Sequence, residues 1–123
     1  MVIRPLVSVV DDDESVRESL PDLLMEFGFT VETFASAEEF LASESLDRTQ
    51  CLLLDIAMPG MSGPALQKEL ARQGRSIPIV FITANADENT RPRLLEAGAV
   101  ECLLKPFTES ALLAAVTMAL RAA

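Results

Sequence analysis

The chain of 123 residues contains no histidine, no tryptophan and no tyrosine, and only two cysteines. Without imidazole, and with Cys51 and Cys102 in no CxxC-type spacing, a zinc site and a Ser-His-Asp triad are excluded. Both cysteines fall inside apolar runs that read as buried strands, where a free thiol behaves as a small hydrophobe. Long hydrophobic runs are missing as well. None approaches the roughly 20 residues of a membrane span, and Met1 to Val10 is too brief for a secretory signal. Basic residues are scarce, ten against nineteen acidic ones, for a formal charge of −9. That balance argues against a nucleic-acid backbone or an anionic membrane as a partner of this domain. The surplus of acid reads as a solubility feature. Neither GxGxxG nor GxxxxGK[ST] occurs, so the usual nucleotide-binding signatures are absent. The chain is expected to be cytoplasmic.

What is present is organised around Cys51-Leu52-Leu53-Leu54-Asp55. A short apolar run bounded by turn signals, here Met58-Pro59-Gly60 and Gly63, reads as a strand buried on both faces. An aspartate directly after such a strand stands at the carboxyl edge of a sheet, where ligands bind in open α/β folds. Half of the residues are apolar, which suffices for one packed domain over residues 1–123 and not for two.

In chain order, Leu6 to Val10 reads as a strand ending in Asp11-Asp12-Asp13-Glu14, acids suited to the positive end of a helix over Ser15 to Phe27. Gly28 is placed to cap that helix. Pro21 within it predicts a kink rather than a break, because the apolar stripe continues beyond it. Thr30 to Phe34 is a second strand, Ser36-Ala37-Glu38-Glu39 a capping box for a brief helix through Leu41, and Ser43 to Thr49 a polar connection. After the strand that delivers Asp55, Gly63-Pro64 opens a helix to Arg72. Pro78 to Ile82 is a strand ending in Thr83. The helix that follows either starts near Pro92 or bends there. Val100 to Leu104 is a strand ending in Lys105-Pro106, and Thr108 caps the last helix. Five strands alternating with five helices predict an α/β, flavodoxin-like (βα)5 doubly wound parallel sheet of order 2-1-3-4-5.

In that order the ends of the first, third, fourth and fifth strands share one edge. Asp11, Asp12, Asp55, Thr83 and Lys105 therefore converge on one shallow pocket. Taken singly, each has an ordinary reading: a turn aspartate, a solvated acidic helix start, a loop hydroxyl, a surface lysine. Together at strand ends they point to chemistry. Clustered carboxylates repel unless a cation joins them, and oxygen ligands alone select a hard ion such as Mg2+. Such an ion neutralises an incoming phosphoryl group, with Lys105 and Thr83 on its other oxygens and Asp55 as nucleophile.

Val9-Val10-Asp11-Asp12, the run Leu53 to Gly63, Ile82-Thr83-Ala84 and Lys105-Pro106-Phe107 resemble the receiver domains of two-component response regulators. The spacing of Asp55, Thr83 and Lys105 is most similar to the FixJ branch, whose receivers commonly precede a LuxR-type DNA-binding domain. The resemblance covers essentially the whole chain. It implies that Asp55 is the phosphoacceptor for a sensor histidine kinase, and that Asp12, Asp55 and the backbone carbonyl of Ala57 hold Mg2+ (or Mn2+ in its place), with Asp11 acting through water. It implies a phosphate-binding and switching role for Thr83 and Lys105, a tuning role for Ala57 and Asn85, and a cis bond before Pro106. The parent protein is then expected to control transcription through an effector domain. A phosphorylation-dependent homodimer through the face formed by the fourth helix and fifth strand is also implied.

Three positions depart from that pattern. Cys102 stands three residues before the lysine, where such receivers place an aromatic switch residue, so the signal is expected to travel by backbone and loop movement around Thr83. Pro92 falls in the fourth helix and Pro21 in the first. Two other readings compete. A haloacid-dehalogenase-type phosphatase needs a second Asp two residues after the nucleophile, and Ala57 occupies that place. A phosphorylation-independent interaction module is disfavoured by the intact acidic pocket.

Overall fold

The computed structural model describes residues 4–85, 87 and 89–122. Five strands, β1 (Leu6–Val10), β2 (Thr30–Phe34), β3 (Cys51–Asp55), β4 (Ile79–Thr83) and β5 (Glu101–Leu104), form one sheet. Their order is β2-β1-β3-β4-β5 and every neighbouring pair is parallel. Between them run α1 (Glu14–Glu26), α2 (Ala37–Leu41), α3 (Gly63–Arg72) and α4 (Thr90–Glu96), and α5 (Glu109–Ala122) follows β5.

The period-two alternation of side chains divides the core in two. Leu52, Leu54, Ile79 and Phe81 face one side of the sheet and pack with Phe40 of α2, Leu66 and Leu70 of α3 and Leu94 of α4. Cys51, Leu53, Val80 and Ile82 face the other, against Leu20 and Leu24 of α1 and Leu112 and Val116 of α5. Strands β1, β3 and β4 are buried along their whole length, whereas the edge strand β2 is not. Burial on both faces is what makes the three central strands read as continuous apolar runs.

The local signals act through identifiable bonds. The Asp13 carboxylate accepts from the Ser15 amide and caps α1. In the capping box, Ser36 accepts from the Glu39 amide, while the Glu39 carboxylate accepts from Ala35, one residue ahead of the usual partner. Helix α1 passes through Pro21 without a break. Helix α4 starts at Thr90, which leaves Pro92 in the first turn, where an amide has no intrahelical acceptor. Thr108 accepts from the Ala111 amide at the start of α5. Gly28, Gly74 and Gly98 follow α1, α3 and α4 with positive φ.

The connection from Ser43 to Thr49 is polar in composition yet partly buried. It contains a short 3-10 helix, Glu44–Asp47, and Ser45, Leu46 and Thr49 are buried. The Thr49 hydroxyl donates to the Ser45 carbonyl at 2.7 Å and is hydrogen-bonded to the Ser8 hydroxyl at 2.6 Å. Hydroxyls satisfied inside the fold look the same in sequence as hydroxyls in water. Among the described residues, no helix is long and apolar enough to cross a membrane.

Candidate functional site

Parallel strands deliver their carboxyl ends to one rim, and Asp11, Asp12, Asp55, Thr83 and Lys105 all stand on it. The carboxylates of Asp11, Asp12 and Asp55 each offer an oxygen within 4.8 Å of the others. Asp12, Asp55, Ala57, Thr83, Asn85 and Lys105 line a cleft of about 290 Å³ together with Asp13, Ile56 and Ala84. Asp11 lies beneath it, fully buried.

Asp11 is held from every side. One carboxylate oxygen accepts from the Asp13 amide at 2.9 Å, the other from Lys105 Nζ at 2.9 Å. Its backbone carbonyl accepts from the Arg17 guanidinium at 2.9 Å, and its amide donates to the Phe34 carbonyl. Asp12 is exposed and therefore able to meet an incoming ligand. Asp11 and Asp12 cluster with Asp55, whereas Asp13, which also borders the cleft, caps α1.

Asp55 is 7 % exposed. Burial pushes its carboxyl up to about 7, and the charge of Asp11 adds to the rise; Lys105 opposes it, and Asp12 raises it further. Nearby negative charge and desolvation both disfavour the ionised form. At Lys105, burial alone favours the neutral amine, but the hydrogen bond and charge of Asp11 outweigh it, and the ammonium is stabilised overall. The Lys105–Pro106 bond is cis.

The loop between β3 and α3 is fixed by backbone as much as by side chains. The Gly63 amide donates to the Ile56 carbonyl at 2.9 Å. A Cβ at Gly63 would collide with the Asp55 carbonyl and meet the Phe81 ring at 3.0 Å, so only glycine fits there without displacement. Glu38 of α2 accepts from the Met61 amide at 3.3 Å. Neither this anchor nor the Arg17 bond is legible in the sequence, since each ties a charged side chain to a backbone group and follows no periodicity. Thr83 is buried, and its hydroxyl donates to the Asn85 carbonyl at 2.8 Å and accepts from the Asn85 amide at 3.2 Å. Cys102 is buried in β5 and packs in the core with Phe81 and Leu94.

A parallel sheet of this order, covered by helices on both faces and with three carboxylates, a threonine and a lysine at its strand ends, defines a doubly wound α/β protein with an acidic site on its carboxyl edge. The response regulator receiver domain family matches residues 7–117, and the chain belongs to that family. It is 46 % identical over 116 residues to nodulation protein W of Bradyrhizobium diazoefficiens, covering 94 % of this chain and 51 % of that protein. It is 41 % identical over 115 residues to the transcriptional regulatory protein FixJ of Azorhizobium caulinodans, covering 93 % and 54 %. The solved structure of the response regulator StyR superposes with a TM-score of 0.89 at 50 % identity, over 98 % of this chain and 61 % of that one. FixJ-N superposes at 0.86 with 36 % identity, over 98 % and 96 %. The chain spans about half the length of the curated relatives it matches.

Proposed function

We propose that Asp55 is the phosphoacceptor of this receiver and takes its phosphoryl group from the phosphohistidine of a sensor histidine kinase. The P–N bond of the donor breaks as a P–O bond forms to the Asp55 carboxylate, and the departing imidazole takes up a proton. The observation that carries this reading is the convergence of three oxygen ligands with Lys105 and Thr83 on one rim.

The donor set suits a hard divalent cation: carboxylates only, without sulfur or imidazole. Asp12, Asp55 and the Ala57 carbonyl would hold Mg2+, or Mn2+ in its place, with Asp11 contributing through water. When bound, the ion supplies positive charge against the phosphoryl oxygens. The chain's own residues do the rest. Asp55 presents a carboxylate oxygen as nucleophile, and Lys105, anchored by Asp11, contributes its ammonium to the phosphoryl oxygens. Thr83 turns from Asn85 to reach the same group. Ala57 and Asn85 flank the phosphoryl position and tune its lifetime. With Cys102 at the aromatic-switch position, the signal spreads by movement of the loop after Thr83.

In this reading residues 1–123 act as one receiver domain that binds no nucleic acid directly, and the parent protein carries a transcription effector domain. Phosphorylation then favours a homodimer through the face of α4 and β5, a reading supported by Leu104, a large apolar side chain 56 % exposed at the end of β5. The domain is a signalling module whose reactions are self-phosphorylation and slow autodephosphorylation.

Incubation with acetyl phosphate and Mg2+, followed by intact mass, tests the reading. A single added phosphate that disappears in Asp55→Asn is expected. Steady turnover of a phosphoester would instead indicate a phosphatase, and no adduct would indicate an interaction module independent of phosphorylation.

A further inference from the structure

Helices α3 and α4 pack on the same side of the sheet and flank an open hollow of about 470 Å³, larger than the cleft of about 290 Å³ at the strand ends. Ile56, Ala71, Leu94 and Ala97 contribute apolar lining, and two cationic residues, Lys68 of α3 and Arg93 of α4, stand on its opposite walls. One side is tied by the Gln67 side-chain amide, which donates to the Ala97 carbonyl at 3.3 Å. A mostly apolar hollow of this size with a few charged groups matches a small organic ligand.

Lys68 and Arg93 are the charged residues of that lining, and among the described residues no carboxylate lines the hollow with them. Arg48, Arg72, Arg75, Arg91 and Lys105 are each paired with a carboxylate. Among the described residues, Lys68 and Arg93 are in no such pair, a state they share with Arg4, Arg17 and Arg121, and both are exposed. Asp87 is held below the usual carboxylate range chiefly by the Thr90 hydroxyl, and the Arg93 charge is only the smallest contribution. Two cations on one largely apolar hollow, in a protein of charge −9, are complementary to an anion with an apolar body.

We propose that the cavity between α3 and α4 binds a small amphipathic carboxylate, its aryl or alkyl body against Ile56 and Leu94 and its anionic end held by Lys68 and Arg93. An occupant would lie against Ile56, the residue directly after Asp55. It would also bridge α3 and the short helix α4. The site is independent of phosphorylation, so the unphosphorylated protein suffices to test it.

Phenylbutyrate titrated into the full chain, followed by amide chemical shifts, provides the test, with phenylbutanol as the neutral counterpart. Saturable shifts at Ile56, Leu94 and Ala97 are expected. Loss of a charge-assisted hydrogen bond should weaken binding about tenfold in Lys68→Ala and in Arg93→Ala, and phenylbutanol should bind less tightly by a similar factor. Ala71→Phe, which fills the hollow from an exposed position of α3, should abolish the shifts while circular dichroism stays unchanged. Absence of saturation, shifts centred elsewhere, or equal affinity for the alcohol and for both charge variants would overturn the proposal.

Discussion

Lys105 Nζ reaches Asp11 Oδ2 at 2.9 Å and so joins the ends of β5 and β1, two strands that are not neighbours in the sheet. The Asp11 side chain is fully buried and that of Lys105 is 20 % exposed. Removing one partner of a buried pair leaves a charge without compensation. Lys105→Met should therefore destabilise the metal-free domain by about 3 kcal/mol in urea denaturation. Adding Asp11→Asn to that variant should recover most of the loss, because the stranded charge is gone. An unchanged midpoint in Lys105→Met would show that water or a neighbouring group already neutralises Asp11.

The Asp55 carboxyl gives a pH dependence of opposite sign to that of an ordinary salt-bridged aspartate. Its value rises from 3.8 to about 7 on folding, through burial first and the charge of Asp11 second. Between those values the folded state binds the extra proton, so stability falls as pH rises from about 4 to 7 and stays lower above that. The shift corresponds to on the order of 4 kcal/mol in the metal-free protein. Asp55→Asn should thus be more stable than the parent at pH 8 and close to it at pH 4, by thermal denaturation in EDTA. Millimolar Mg2+ should narrow the gap at pH 8, since a cation among the carboxylates restores the ionised form.

Gly63 offers a substitution that acts on the site without touching its chemistry. A methyl group there meets the Asp55 carbonyl and the Phe81 ring. Gly63→Ala should cost about 1–3 kcal/mol, as overpacking does, and should slow adduct formation from acetyl phosphate. Gly74→Ala, at φ +74° with open space around it, should cost about 1 kcal/mol and leave adduct formation at the parental rate. Similar rates in the two variants would mean that the loop absorbs the added methyl.

The two thiols should be inert in the native state. Burial pushes Cys51 up to about 12, and burial also raises Cys102, with the Glu101 charge second. The thiolate is the reactive form. Iodoacetamide at pH 8 should leave both unmodified for hours by intact mass and label both in urea. Rapid native labelling at Cys102 would show that β5 opens on its own.

Much of this was legible from the chain because each strand announces itself twice, by an apolar run and by the polar residue that ends it. Val10-Asp11, Leu54-Asp55, Ile82-Thr83 and Leu104-Lys105 gave both the sheet and its rim. Asp13 could be separated from Asp11 and Asp12 because the strand ends at Val10. The ties that hold the loops were not legible. Glu38 to the Met61 amide, Gln67 to the Ala97 carbonyl and Ser8 to Thr49 join groups 23, 30 and 41 positions apart. Nothing in a local pattern distinguishes such a partner from a solvated side chain. The burial of the Ser45 and Thr49 hydroxyls before β3 is illegible for the same reason.

Thr83 stands idle only in name. Its hydroxyl is already committed twice to the Asn85 backbone, so recruiting it elsewhere requires undoing a turn that has been made, not filling a vacancy. In the switch proposed above, the resting position is accordingly latched, and a change that weakens the latch without adding affinity for phosphate should shift the domain toward its signalling form.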